Sequence, residues 1–137
     1  MNKDDFKNLA QIRIREANAL LKNGRYEGAY YLCGYAIECG LKACIAKKTK
    51  RYDFPDKKTV IDSYKHDLSN LVGTAGLELK LDKEIEKNAK FEVNWGIVKD
   101  WSVVSRYEKH NEKEARDLFS AVSNKKDGVF QWIKKYW

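Results

Sequence analysis

Arg25-Tyr26-Glu27-Gly28-Ala29-Tyr30-Tyr31-Leu32-Cys33-Gly34-Tyr35-Ala36-Ile37-Glu38-Cys39-Gly40-Leu41-Lys42-Ala43-Cys44-Ile45-Ala46-Lys47-Lys48 carries two apolar stripes side by side. Tyr26, Tyr30, Cys33, Ile37, Leu41 and Cys44 repeat at steps of three and four. Ala29, Leu32, Ala36, Gly40 and Ala43 do the same next to them. Steps of three and four keep residues on one face of a 3.6-residue turn. Two adjoining stripes cover more than half the circumference, as in a helix surrounded by others. Gly28, Gly34 and Gly40 each cost about 1 kcal/mol of helix propensity relative to alanine. Close approach of neighbouring helices is the expected compensation. The charged pair Glu38 and Lys42 stands at i,i+4 on the remaining side.

Upstream, Phe6, Ala10, Ile14, Ala17 and Leu21 mark an amphipathic helix from about Asp4 to Lys22, stopped at Asn23-Gly24. Downstream, Lys47 to Lys58 is expected to be a loop. Asp67 is the expected cap of a short helix with Leu68, Leu71 and Val72 inward, ended by Gly73 and Gly76. Leu77 to Leu81 reads as irregular and Asp82 to about Lys90 as a charged helix. Phe91 to Tyr107, rich in aromatic and β-branched residues, is compatible with strand by composition alone. Asn111-Glu112-Lys113-Glu114 has the form of a capping box. It opens a last helix marked by Ala115, Leu118, Val122, Val129 and Ile133, in which Gly128 introduces a bend. The expected fold is all-α: a single domain over residues 1–137, built as an antiparallel up-and-down bundle of four to five helices.

The whole chain has 137 residues, 43% hydrophobic and 34% charged, with one proline, eight glycines and a net charge of +7. That length suits one domain, and so few turn-forming residues argue against an all-β fold. Met1-Asn2-Lys3-Asp4-Asp5 leads into no apolar run, so no secretory leader is expected. No stretch is apolar enough to span a membrane. Cys33, Cys39 and Cys44 lack zinc-ligand spacing and read as reduced residues in a helix, which suits the cytoplasm. No metal or other cofactor is expected, and no glycine-rich phosphate loop is present.

The turn Asn23-Gly24-Arg25-Tyr26-Glu27-Gly28-Ala29, the run Tyr35-Ala36-Ile37-Glu38-Cys39-Gly40-Leu41-Lys42 and the segment His66-Asp67-Leu68 with Leu71 resemble the HEPN family (higher eukaryotes and prokaryotes nucleotide-binding). Trp101, Arg106-Tyr107 and Trp132-Ile133 extend the resemblance over most of the chain. It implies a helical bundle, commonly a homodimer, and favours helix around Trp95 to Trp101. It also implies RNA or a nucleotide as partner. Many members are metal-independent ribonucleases of toxin–antitoxin or antiphage systems, often beside a minimal nucleotidyltransferase. Others bind nucleotides or polynucleotides without cutting.

The ribonuclease members carry arginine, four to six residues, then histidine. Here Arg106 and His110 enclose three residues, and Tyr107 stands where a polar residue is usual. Histidine exchanges protons near neutral pH, and the arginine fork holds a phosphate. Glu38 and Lys42 match the family's supporting pair. Three readings stay open. Arg106 and His110, able to share a helix face at i,i+4, form an active catalytic pair, or they bind phosphate without chemistry, or Arg106 is structural and His110 is a solvated residue before the Asn111 cap. Glu38 and Lys42 likewise support catalysis or form an ordinary intrahelical ion pair. His66 is expected to pack at its helix start.

The stretch Lys42 to Lys58 holds most of the excess charge. Lys47, Lys48, Lys50 and Arg51, with Tyr107, are the candidate nucleic-acid contacts. Trp95, Trp101 and Trp132 are expected in the core, whereas Trp137 is expected to be free to stack on a base.

Overall fold

The computed structural model describes residues 1–51 and 56–137, with the side chains of Lys50 and Arg51 outside that description. The helices are α1 (Lys3–Lys22), α2 (Tyr26–Arg51), α3 (Lys57–Ser63), α4 (Leu68–Thr74), α5 (Glu78–Lys87), α6 (Ala89–Val98), α7 (Glu112–Ser123) and α8 (Val129–Lys134). A 3-10 turn, Val103–Tyr107, lies between α6 and α7. No strand occurs among the described residues. The fold is thus the all-helical bundle expected from the stripes, with several short helices added to the principal α1, α2, α6 and α7.

Local chemistry sets most of the boundaries. Gly24 takes the left-handed conformation (φ 71°) and folds α1 back on α2. Asp67 and Asn111 accept from the backbone N–H of Asn70 (2.9 Å) and Glu114 (2.8 Å), so both expected caps are present. The long α2 lies at the centre, packed by α1, α4, α7, α8 and the 3-10 turn. Ile37, Leu41, Leu68, Leu71, Phe91 and Leu118 form the middle of the core. Each such side chain, fully buried, contributes about 1.5–3 kcal/mol.

The α2 glycines are close-approach positions. At Gly34 a Cβ would lie 2.2 Å from the Trp101 ring. A Cβ added at Gly28 would lie 3.1 Å from Leu20, and one at Gly40 would lie 3.1 Å from Ile133. Cys33, Cys39 and Cys44 are free and buried on the same helix. Burial pushes the Cys39 thiol up to about 11, with the Glu38 charge adding to it.

Four local expectations are corrected. Leu77 to Leu81 is not irregular, because α5 begins at Glu78 and anchors Leu81 in the core. The segment from Lys47 is helical to Arg51, and α3 follows from Lys57. Residues 52–55 lie outside the described residues. The strand alternative for Phe91 to Tyr107 fails, since Phe91, Trp95 and Val98 form one buried helical stripe.

The last helix is two helices. Asn124 Oδ1 accepts from the N–H groups of Lys126 (3.0 Å) and Asp127 (2.8 Å), a turn that competes with helix continuation. Gly128 then caps α8, where a Cβ would lie 2.4 Å from the Asn124 carbonyl oxygen. Asn88 caps α6 and also donates to Asp127 (3.0 Å), which ties that turn to the bundle.

Candidate functional site

The candidate residues fall into two groups. The first is built on α2. Glu38 is 2% exposed, and its Oε2 accepts from Lys42 Nζ at 3.2 Å and from His66 Nδ1 at 3.1 Å. Asp67 starts α4 with buried Leu68 and Leu71, which brings His66 against α2. The cluster therefore fastens the start of α4 to the central helix. His66, half exposed, packs at its helix start as expected but does so through this bond.

A carboxylate this enclosed is costly unless its bonds are kept. Lys42→Met is expected to destabilise the fold by about 2 kcal/mol, since it removes a charge-assisted bond from a buried acceptor. Lys113→Met, which removes an exposed pair with Asp117, is expected to cost well under about 1 kcal/mol. Denaturant unfolding checks both, and equal midpoints would contradict the assignment.

The second group lies at the junction of the 3-10 turn and α7. Arg106 and Tyr107 are exposed, Tyr107 by 78%, and the Arg106 guanidinium carbon lies 5.0 Å from the Tyr107 ring centroid. His110 departs from the solvated alternative: its side chain is only 8% exposed. The ring stacks on Tyr30 of α2, centroids 3.7 Å apart and planes 12° apart. Its Nδ1 lies 2.9 Å from Glu114 Oε2, and its enclosed Nε2 has no partner among the described residues. The Tyr30 hydroxyl is pushed up by burial, with the Glu114 charge adding to it. Hydrogen bonding from His110 is the main reason the Glu114 carboxyl lies below its ordinary range.

The two groups are separate. Tyr30 precedes Glu38 by just over two turns of α2, or ~12 Å along the axis. Lys42 lines a cavity of about 780 Å³ between α1, α2 and α3, to which no residue of the 3-10 turn or α7 contributes. The helix face that one of the open readings allowed Arg106 and His110 to share is not formed. The 3-10 turn ends at Tyr107 and Glu108 is extended (ψ 160°), so helical i,i+4 geometry does not apply.

Lys47 and Lys48 are exposed near the end of α2, with Lys48 Nζ donating to the Thr74 carbonyl at 3.2 Å. The side chains of Lys50 and Arg51 lie outside the described residues. Trp137 is not free. It packs edge-on against Phe130, centroids 5.5 Å apart, with Lys7 Nζ 5.3 Å from its ring. Among the described residues, no group of three or more His, Cys, Asp and Glu side chains comes together to hold a metal ion. No helix among them is long and apolar enough to cross a membrane.

Sequence reasoning missed Tyr30 and Glu114 as neighbours of His110. Glu114 carried a signal, because it stands at i+4 from His110, but its position in the capping-box pattern offered a simpler use.

The described residues form a small bundle of α-helices. The HEPN domain family matches residues 4–136, nearly the whole chain, and the chain belongs to that family. Its function is accordingly nucleotide- or RNA-related. Comparison with curated proteins and with solved structures gave no match.

Proposed function

We propose that this HEPN protein binds RNA at Arg106 and Tyr107 and cuts it without a metal, with His110 as the acid/base. The observation that carries this reading is the immobilised imidazole of His110, stacked on Tyr30 with Nε2 unpartnered. A buried polar atom without a partner is costly and calls for an explanation, and Nε2 is one of five such side-chain atoms among the described residues, the one on a titratable ring. Nε2 takes the proton of a ribose 2′-OH as the 2′-oxygen bonds to phosphorus. The bond from phosphorus to the 5′-oxygen breaks, and the imidazolium returns the proton to that oxygen. The products are a 2′,3′-cyclic phosphate and a 5′-hydroxyl. Arg106 neutralises the phosphate oxygens, while the exposed Tyr107 ring offers a stacking face. In this reading the substrate reaches Nε2 by a local opening that uncovers it.

The chain over residues 1–137 acts in this reading as one cytoplasmic unit, a homodimer within a toxin–antitoxin or antiphage system. A second reading is a non-catalytic nucleotide- or polynucleotide-binding partner of a minimal nucleotidyltransferase. It is favoured by the enclosure of Nε2 and by the exposed Lys47 and Lys48.

One experiment separates them. Wild-type protein with single-stranded RNA and excess EDTA is expected to leave fragments with 5′-hydroxyl ends. Arg106→Ala is expected to cut less and to bind with a shallower salt dependence. Intact RNA together with salt-sensitive binding would replace the first reading by the second. Intact RNA without binding would end both.

A further inference from the structure

We propose that Glu114 is the positioning residue of His110, setting the imidazole tautomer so that Nε2 is the proton-accepting atom. This inference rests on the cleavage reading and concerns the same centre, in which the family resemblance points to Glu38 and Lys42 as the supporting pair. The structure places Glu38 with Lys42 and His66, and Glu114 with His110.

The argument begins with what a carboxylate is able to do. An ionised carboxylate only accepts hydrogen bonds, and a neutral imidazole carries one N–H. The 2.9 Å contact of Nδ1 with Glu114 Oε2 therefore puts that hydrogen on Nδ1 and leaves the lone pair on Nε2. The Tyr30 ring, nearly parallel to the imidazole, fixes its plane. Both constraints are needed, because a histidine free to rotate or to exchange tautomers offers the right nitrogen only part of the time.

The use made of Glu114 has a local cost. In the pattern Asn111-x-x-Glu114, the glutamate ordinarily reaches back to the cap's own N–H. Here the cap half is made, Asn111 Oδ1 accepting from Glu114 N at 2.8 Å, while the carboxylate is turned to His110. Glu112 and Lys113 in the same first turn pair forward along α7, with Arg116 and Asp117. Glu114 alone turns back. Its carboxyl is stabilised in the charged form, chiefly by the hydrogen bond with His110. That bond weakens as pH falls through that depressed value, below the ordinary carboxylate range of about 4.3.

The test is nitrogen NMR of ¹⁵N-histidine-labelled protein at neutral pH, with Glu114→Ala, Glu114→Gln and, as a control on the same turn, Glu112→Gln. Wild type is expected to show His110 as the Nδ1–H tautomer. Glu114→Ala is expected to lose it, Glu114→Gln to keep it through the amide oxygen, and Glu112→Gln to leave it unchanged. On RNA, Glu114→Ala is expected to lower kcat about tenfold at unchanged KM, the usual effect of removing an orienting partner, and Gln is expected to restore most of it. An Nε2–H tautomer in wild type, or an unchanged tautomer in Glu114→Ala, would overturn the proposal. The expected tautomers with intact RNA would uphold the hold of Glu114 on His110 and overturn the cleavage reading.

Discussion

His110→Ala is expected to slow RNA cleavage about 10²–10⁴-fold, the range for losing one general acid/base, and to leave RNA affinity close to wild type. The separation follows from placement. Arg106 and Tyr107 are exposed on the 3-10 turn and, in the proposed reading, meet RNA first, whereas His110 is enclosed and is proposed to reach only the reacting oxygens of the RNA. The substitution also removes the stack on Tyr30, which is worth about 0.5–1.5 kcal/mol beyond area. That leaves the bundle folded, as circular dichroism at the assay temperature checks. Rates measured in EDTA over a range of RNA concentrations divide kcat from KM. Cleavage by His110→Ala at the wild-type rate would remove His110 from the chemistry.

Gly34→Ala is expected to be the most damaging single methyl in the described part of α2. The added Cβ would lie 2.2–2.3 Å from three atoms of the Trp101 ring, which is itself buried. Neither side has room: Gly34 is in the middle of the central helix, and Trp101 is buried and also meets the Tyr31 ring of that helix, centroids 6.0 Å apart. Overpacking a close-packed core costs about 3 kcal/mol at the upper end of its usual range. For a chain of this size that lowers the melting temperature by roughly 10 °C. Helix propensity acts the other way by only about 1 kcal/mol. Trp101→Leu in the same protein is expected to recover part of the loss, so the two changes add to less than their sum. A melting temperature unchanged by Gly34→Ala would show that the ring yields freely.

The helices and their caps were legible because their causes are local. Asp67 and Asn111 were readable as caps from residue type and position, and Gly24 as a stop from its freedom at positive φ. Even the cost of three glycines in one helix pointed to close neighbours. The break between α7 and α8 was less legible. Ala115, Leu118 and Val122 continue into Val129 and Ile133 at plausible spacing, and the intervening turn is closed by the side chain of Asn124 and by the Gly128 N–H donating to the Asn124 carbonyl. The start of α5 depends on Leu81 reaching the core, which no local pattern displays. Trp137 looked available from its position in the chain, yet Phe130 and Lys7 pack against it.

The candidate centre divides in the same way. The sequence by itself determined a mainly helical chain with a buried central helix, because periodicity and residue chemistry act over a few turns of chain. Helix around Trp95 to Trp101 and the candidates Arg106 and His110 came from the resemblance to the family. Only the tertiary structure decided which candidates meet. Packing of the 3-10 turn and α7 on α2 brings Tyr30 over His110, and the docking of α4 brings His66 to Glu38. Such contacts depend on where rigid helices cross, and periodicity within one helix carries no information about the crossing point.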